Sequence, residues 1–236
     1  MKKTIRIIII IALLMAICVS GYKIFEITEQ YRLESEVKES MQRYKPKSDK
    51  MVDAEDKSNQ WVADLRNDIN QDVVGWLSIT DTRIDYPFVA AEDNNFYLRR
   101  DIYKNDADAG TLFMDCRCAK DFSDSYNIIY GHNQKNNSMF GDLALFADEE
   151  FFDAHSLGVV FLSDRTYTLE FFAYAIVNAN DEIIYSTQTA QEELLQYLSQ
   201  AAKYYREPLS SEKIVALSTC SYDYNGARIV LFGSAE

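Results

Sequence analysis

Histidine is scarce in this chain: two occur in 236 positions, beside four cysteines, three prolines and eight glycines. With so little Pro and Gly, and with 47% hydrophobic and 13% aromatic residues, a disordered or low-complexity protein is excluded and there is material for one sizeable core. Basic residues are also short. Lys and Arg number 24 against 37 Asp and Glu, a net charge of −13 that repels phosphate backbones, so nucleic acid is not expected as a partner. The acidity suits a domain tethered near an anionic surface, or simply a solvated acidic face. Cys18 lies in an apolar N-terminal run, which leaves three cysteines outside it. An odd number argues against a complete disulfide framework in an exported domain and leaves at least one thiol free to react. Cys116 and Cys118 form a C-x-C with no second pair to complete a zinc set, and both would point to the same face of a strand as packing residues. No metal site and no cofactor are expected.

Lys2, Lys3 and Arg6 precede an uncharged run over residues 7–22 that contains five consecutive isoleucines. A basic flank before a membrane-length segment predicts a single-pass anchor over residues 7–25, with residues 1–6 cytoplasmic and the rest of the chain outside the cell membrane. A cleaved signal peptide is the alternative. No clean A-x-A site follows the run, and Ile17 before Cys18 is too bulky for lipoprotein processing, so retention is the expectation. Residues 26–70 are rich in Glu, Lys, Gln and Arg, with Tyr31, Leu33, Val37, Met41 and Tyr44 at helical spacing, a break around Pro46, and a second amphipathic stretch holding Trp61, Val62, Leu65 and Ile69. This predicts a helical stalk that packs onto the domain.

From residue 71 onward the periodicity turns to short β-type runs: 74–79, 85–89, 111–114, 126–130, 159–162, 167–177, 214–218 and 228–232. About eight strands with little Gly or Pro inside them imply a mainly β domain, a closed barrel or a sandwich. One stretch differs: Leu194, Leu195, Leu198 and Ala202 recur at helical spacing and predict a helix over residues 190–205.

Two histidines mean few candidates for proton transfer near neutral pH. His132 follows the apolar run that ends at Tyr130, where a strand opens into a polar loop, a place that suits a functional side chain and a surface-loop histidine equally. His155, among Asp153, Ala154 and Ser156, reads as ordinary. Cys220 ends the run 214–219, again at a strand terminus with polar residues after it. To attack a carbonyl the thiol must lose its proton, which an imidazole or guanidinium nearby favours. Arg228 comes eight positions later, after a turn carrying Asn225-Gly226, so an antiparallel pair would set it beside Cys220, where its fixed charge could hold an oxyanion.

From about Asp72 to Gly233 the chain resembles the class B sortases, cysteine transpeptidases. The resemblance is carried in order by Asp72-Val73-Val74-Gly75-Trp76-Leu77, Ile84-Asp85-Tyr86-Pro87, Asp93-Asn94 with Tyr97-Leu98, and Gly110-Thr111-Leu112-Phe113-Met114-Asp115. It continues through Tyr130-Gly131-His132-Asn133 and Ser138-Met139-Phe140-Gly141-Asp142-Leu143 to Leu217-Ser218-Thr219-Cys220, which is similar to the family's TLxTC box with Ala216 in place of its first Thr. The resemblance implies an eight-stranded β-barrel with N-terminal helices over residues 71–236, the 190–205 helix lying in the loop before the cysteine strand. It implies Cys220, His132 and Arg228 as catalytic residues and Asn94, Leu98, Ser218, Ile184 and Tyr185 as substrate contacts. The implied reaction is cleavage of a C-terminal sorting signal of NPxTx or PxTG type after Thr, then transfer of the Thr carboxyl to a peptidoglycan amine through a thioacyl enzyme. Two rival readings stand beside this one. An L,D-transpeptidase would carry a His-Gly pair where Ser218-Thr219 stand, and a membrane-tethered binding module would carry an incidental Cys220.

Overall fold

The computed structural model describes residues 2–46, 60–210, 212–221 and 223–236. The chain forms two units, residues 1–40 and residues 41–236. The first is built on α1 (Lys2–Gln42), which runs without a break through both the apolar stretch and the Glu/Lys-rich stretch that follows. Ile5, Ile7, Ile8, Leu13, Leu14, Ile17 and Val19 are all exposed, so the first half of the helix is apolar around its circumference. Among the described residues it is the one helix long and apolar enough to cross a membrane. Its end, at Gln42, falls before Pro46, whose ring disfavours helical backbone in the residue ahead of it.

The second unit begins at Met41, inside the stretch expected as stalk. Tyr44 donates to Asp68 at 3.0 Å and Lys45 pairs with Asp85 at 2.7 Å. In α2 (Gln60–Asp68), Val62 and Leu65 are buried against β1, and Trp61 meets Trp76 edge to face at 6.4 Å. The core is a closed barrel of eight strands: β1 (Val73–Ile79), β2 (Asp85–Val89), β3 (Leu112–Met114), β4 (Tyr126–Tyr130), β5 (Leu157–Phe161), β6 (Thr166–Asn178), and, after the two-residue β7 (Tyr204–Tyr205), β8 (Ile214–Cys220) and β9 (Ala227–Ala235). Their order is β5-β1-β2-β3-β4-β8-β9-β6, closed by β5 pairing with β6, while β7 lies farther along the β6 edge. The pairs β2–β3 and β4–β8 are parallel and the rest antiparallel.

Strand alternation divides the apolar residues into two clusters. Val215, Leu217, Ile229, Leu231 and Ile129 fill the barrel with Phe88, Phe140 and Phe171. Ile214, Ala216, Val230, Phe232, Tyr126 and Ile128 face outward and are covered by Leu194 and Leu198 of α4 (Gln191–Ala201) and by Ile184 of the β6–α4 connection. Removing that outer face from water leaves the end of β8 as the place where outward side chains meet solvent.

The helix expected over 190–205 is shorter. It stops at Ala201, and Tyr204 and Tyr205 pair with Tyr174 and Ala173 of β6. Their rings pack on Tyr174 and Phe152, and on Phe172, so burial of two aromatics on a pleated edge outweighs continuation of the helix. The strand expected to hold Cys116 and Cys118 is also absent. β3 ends at Met114, the chain turns with Cys118 N–H donating to the Asp115 carbonyl, and the two thiols diverge, Cys118 buried and Cys116 partly exposed.

Candidate active site

Cys220 is the last residue of β8 and sits directly opposite Arg228 across the antiparallel pair with β9. Directly opposed side chains share a face. Cys220 has the parity of Ile214, Ala216 and Ser218, so both it and Arg228 stand on the outer side of the barrel wall. The turn between them needs a left-handed residue, supplied by Gly226 at φ 85°.

His132 reaches the same end from the other flank. β4 runs parallel to β8 with Tyr130 opposite Ser218, and Gly131 N–H donates to the Ser218 carbonyl at 3.1 Å, extending the ladder one step. Asn133 Nδ2 then donates to the Cys220 carbonyl at 2.8 Å. His132 lies between these two ties, at the level of Cys220. Its Nε2 is 2.6 Å from the Leu98 carbonyl. A carbonyl only accepts, so Nε2 carries a proton and Nδ1 is the nitrogen left to exchange one.

Leu98 is itself firmly held. It belongs to a 3-10 turn, Phe96–Arg99, whose Tyr97 is fully buried, donating from its hydroxyl to Asp72 at 2.6 Å and accepting from Asn70 at 2.8 Å. Gly131 has no room for a side chain: a Cβ there would lie 2.4 Å from Leu112 Cδ2 and 2.8 Å from the Phe140 ring. Gly131→Ala is therefore expected to destabilise the protein by about 1–3 kcal/mol, the usual cost of overpacking, seen as a thermal midpoint several degrees lower. An unchanged midpoint would mean that the wall is softer than it looks.

The expected substrate contacts are distributed unevenly. Leu98 and Tyr185 are partly exposed. Ser218 is buried, its Oγ 2.9 Å from the Tyr185 hydroxyl, and the Tyr185 ring stacks on Tyr130 at 6.4 Å. Burial pushes the Tyr185 phenol up to about 12, partly offset by the Ser218 bond and by the Arg228 guanidinium. Asn94 turns its Oδ1 to the Cys116 N–H at 2.8 Å, which orients the side-chain amide. Ile184 lies in the outer apolar cluster, its side chain fully buried and its carbonyl accepting from Tyr126 at 2.8 Å.

His155 caps α3 (Glu149–Ala154) and stacks on Phe151 at 3.9 Å, a local packing role. All four cysteines are unpaired, and burial pushes the Cys118 thiol up to about 11. Sequence reasoning missed one feature, the fully buried carboxylate of Asp115, which is gripped by Arg117 and by the Tyr130 hydroxyl at 2.8 Å. Burial alone would raise that carboxyl, but the Arg117 fork more than offsets it and holds the group below the usual carboxylate range. The only advance signal was an acid and a base two positions apart at a strand end.

The chain thus brings a thiol, an imidazole and a guanidinium to the ends of adjacent strands of a closed eight-stranded barrel, a set of groups suited to covalent cysteine chemistry. No protein-family profile matches the chain. Sortase B of Listeria monocytogenes is 38% identical over 173 residues, which span 70% of each chain, and sortase B of Staphylococcus aureus is 26% identical over 172 residues, 69% of this chain and 70% of its own. The solved structure of sortase B from Bacillus anthracis superposes with a TM-score of 0.75 at 31% identity, over 88% of this chain and 98% of that one. The chain belongs to the sortase B family, transpeptidases that take sorting-signal peptides and anchor surface proteins.

Proposed function

We propose that Cys220 is the nucleophile, His132 the proton carrier and Arg228 the oxyanion partner in cleavage of an NPxTx- or PxTG-type sorting signal after Thr. The Cys220 thiolate adds to the Thr carbonyl carbon, and the oxyanion that forms lies toward Arg228. The carbonyl re-forms as the C–N bond breaks, and protonated Nδ1 of His132 delivers its proton to the departing amine. A peptidoglycan amine then adds to the thioester and gives a proton to His132, and the C–S bond breaks to release the joined product. Asn94, Leu98 and Tyr185 line the acyl-donor side, with Ser218 and Ile184 supporting it from beneath. We read residues 7–25 of α1 as the membrane anchor, the basic residues 1–6 as cytoplasmic and the barrel as outside.

One observation carries this reading: Cys220 and Arg228 are direct cross-strand partners on the outward face, with the His132 loop tied to the Cys220 carbonyl. The test is to mix the full chain in detergent with an NPxTx peptide, quench in acid, and weigh the protein. An adduct equal to the peptide portion ending in Thr, mapped to Cys220, is expected. An adduct at Cys116, or none while the peptide is cleaved, would overturn the assignment.

A further inference from the structure

The Tyr185 ring lies over Ser218, one outward position before Cys220, yet the connection that carries it runs over the surface between β6 and α4. Its main chain has two ties at that residue: Tyr185 N–H donates to the Asp181 carbonyl at 3.0 Å, and Arg117 Nη2 donates to the Tyr185 carbonyl at 2.9 Å. Arg117 is in turn a fork on Asp115, with Nε to Oδ1 at 2.8 Å and Nη2 to Oδ2 at 2.6 Å. The same Asp115 Oδ2 accepts from Tyr130, whose ring stacks on Tyr185. A fully buried carboxylate thus acts as a hub. It fixes Tyr130 from below and, through Arg117, the backbone of Tyr185 from the side. A planar guanidinium can grip a carboxylate with two N–H groups and still reach a third acceptor, which a single ammonium cannot do with the same geometry. Arg117 is half exposed and also lines an open hollow of about 370 Å³ with Asp181, Glu182 and Ser186. Replacing it does not strand an arginine-shaped void in the core.

We infer that Arg117 is a positioning residue of the acyl-donor groove: by holding the Tyr185 backbone to the buried Asp115 it sets where the Tyr185 ring stands over Ser218, and so sets affinity for the sorting-signal peptide without acting on the thiol. The inference rests on the reaction proposed above. It assigns to the turn after β3 a role in substrate recognition that neither Cys116 nor Cys118 provides.

The test uses the full chain in detergent, a quenched fluorescent NPxTx peptide, and iodoacetamide as a small electrophile for Cys220. Arg117→Lys keeps a cation beside Asp115 and is expected to keep the thermal midpoint near that of the parent, while KM for the peptide rises about tenfold, the scale of one charge-assisted hydrogen bond. The alkylation rate of Cys220 stays unchanged. In a Tyr185→Ala background the same Lys substitution adds little to KM, because the ring through which Arg117 works is gone. Arg117→Gln, which leaves Asp115 without a cation, is expected to lower both the midpoint and peptide affinity.

An Arg117→Lys enzyme with the parent's KM overturns the inference. So does a KM increase that is just as large with Tyr185 absent, or a fall in alkylation rate matching the fall in kcat/KM. A wild-type enzyme that forms no thioacyl adduct and cleaves no sorting peptide removes the proposed activity itself, and this inference with it. Turnover with unaltered KM in the variant removes the inference alone.

Discussion

Cys220→Ala is expected to abolish sorting-peptide cleavage, with kcat/KM falling by roughly 10⁴-fold or more, as when the nucleophile of a covalent mechanism is deleted. The substitution removes one sulfur from a partly exposed strand end, so the thermal midpoint should hardly move. Cys118 is buried with its thiol pushed up to about 11, Cys18 lies in α1, and Cys116 sits on the turn after β3 and is not part of the β8–β9 pair. His132 and Arg228 would remain and could activate a water weakly, which sets the residual rate. Continuous fluorescence of a quenched NPxTx peptide measures this directly. Cleavage within tenfold of the parent would return Cys220 to the status of a bystander and place the cleavage on another group.

The sequence made the strands legible as short apolar runs bounded by turn residues, and β8 is such a run because Val215 and Leu217 are buried on one face and Ile214 and Ala216 on the other. The Cys220–Arg228 pairing could also be read, since Asn225-Gly226 marks a turn between two such runs and the register follows from its length. The parallel neighbours β4 and β8 could not, because nearly ninety positions separate Tyr130 from Ser218 and nothing local encodes that contact. The end of α4 escaped notice for a related reason: Tyr204 and Tyr205 continue the helical pattern tolerably, and only the free edge of β6 makes extended backbone the better choice. The Leu98 carbonyl that orients His132 belongs to the backbone, which carries no residue signature. Ile184 and Tyr185 are adjacent in sequence and opposite in fate, one in the core and one over Ser218, a distinction set by the path of the connection.

Arg228→Gln is the second large effect, a loss of about 10²–10³-fold in kcat/KM, the usual consequence of removing one donor to a tetrahedral oxyanion. The guanidinium is well suited to an incoming anion because its charge is uncommitted: Nη1 donates to the Ala227 carbonyl at 3.0 Å, and among the described residues no carboxylate pairs with it. A cation already neutralised would have to break an ion pair before serving the transition state. Arg228→Lys should recover part of the loss, since charge is kept while the fork is lost. Two roles separate by probe. If Arg228 serves the oxyanion, peptide turnover collapses while iodoacetamide alkylation of Cys220 changes little, because that displacement forms no oxyanion. If it serves the thiolate, both rates fall together and the alkylation profile moves to higher pH. Retention of peptide turnover within threefold in Arg228→Gln would show that the cross-strand neighbour of the nucleophile is there for the strand pairing alone.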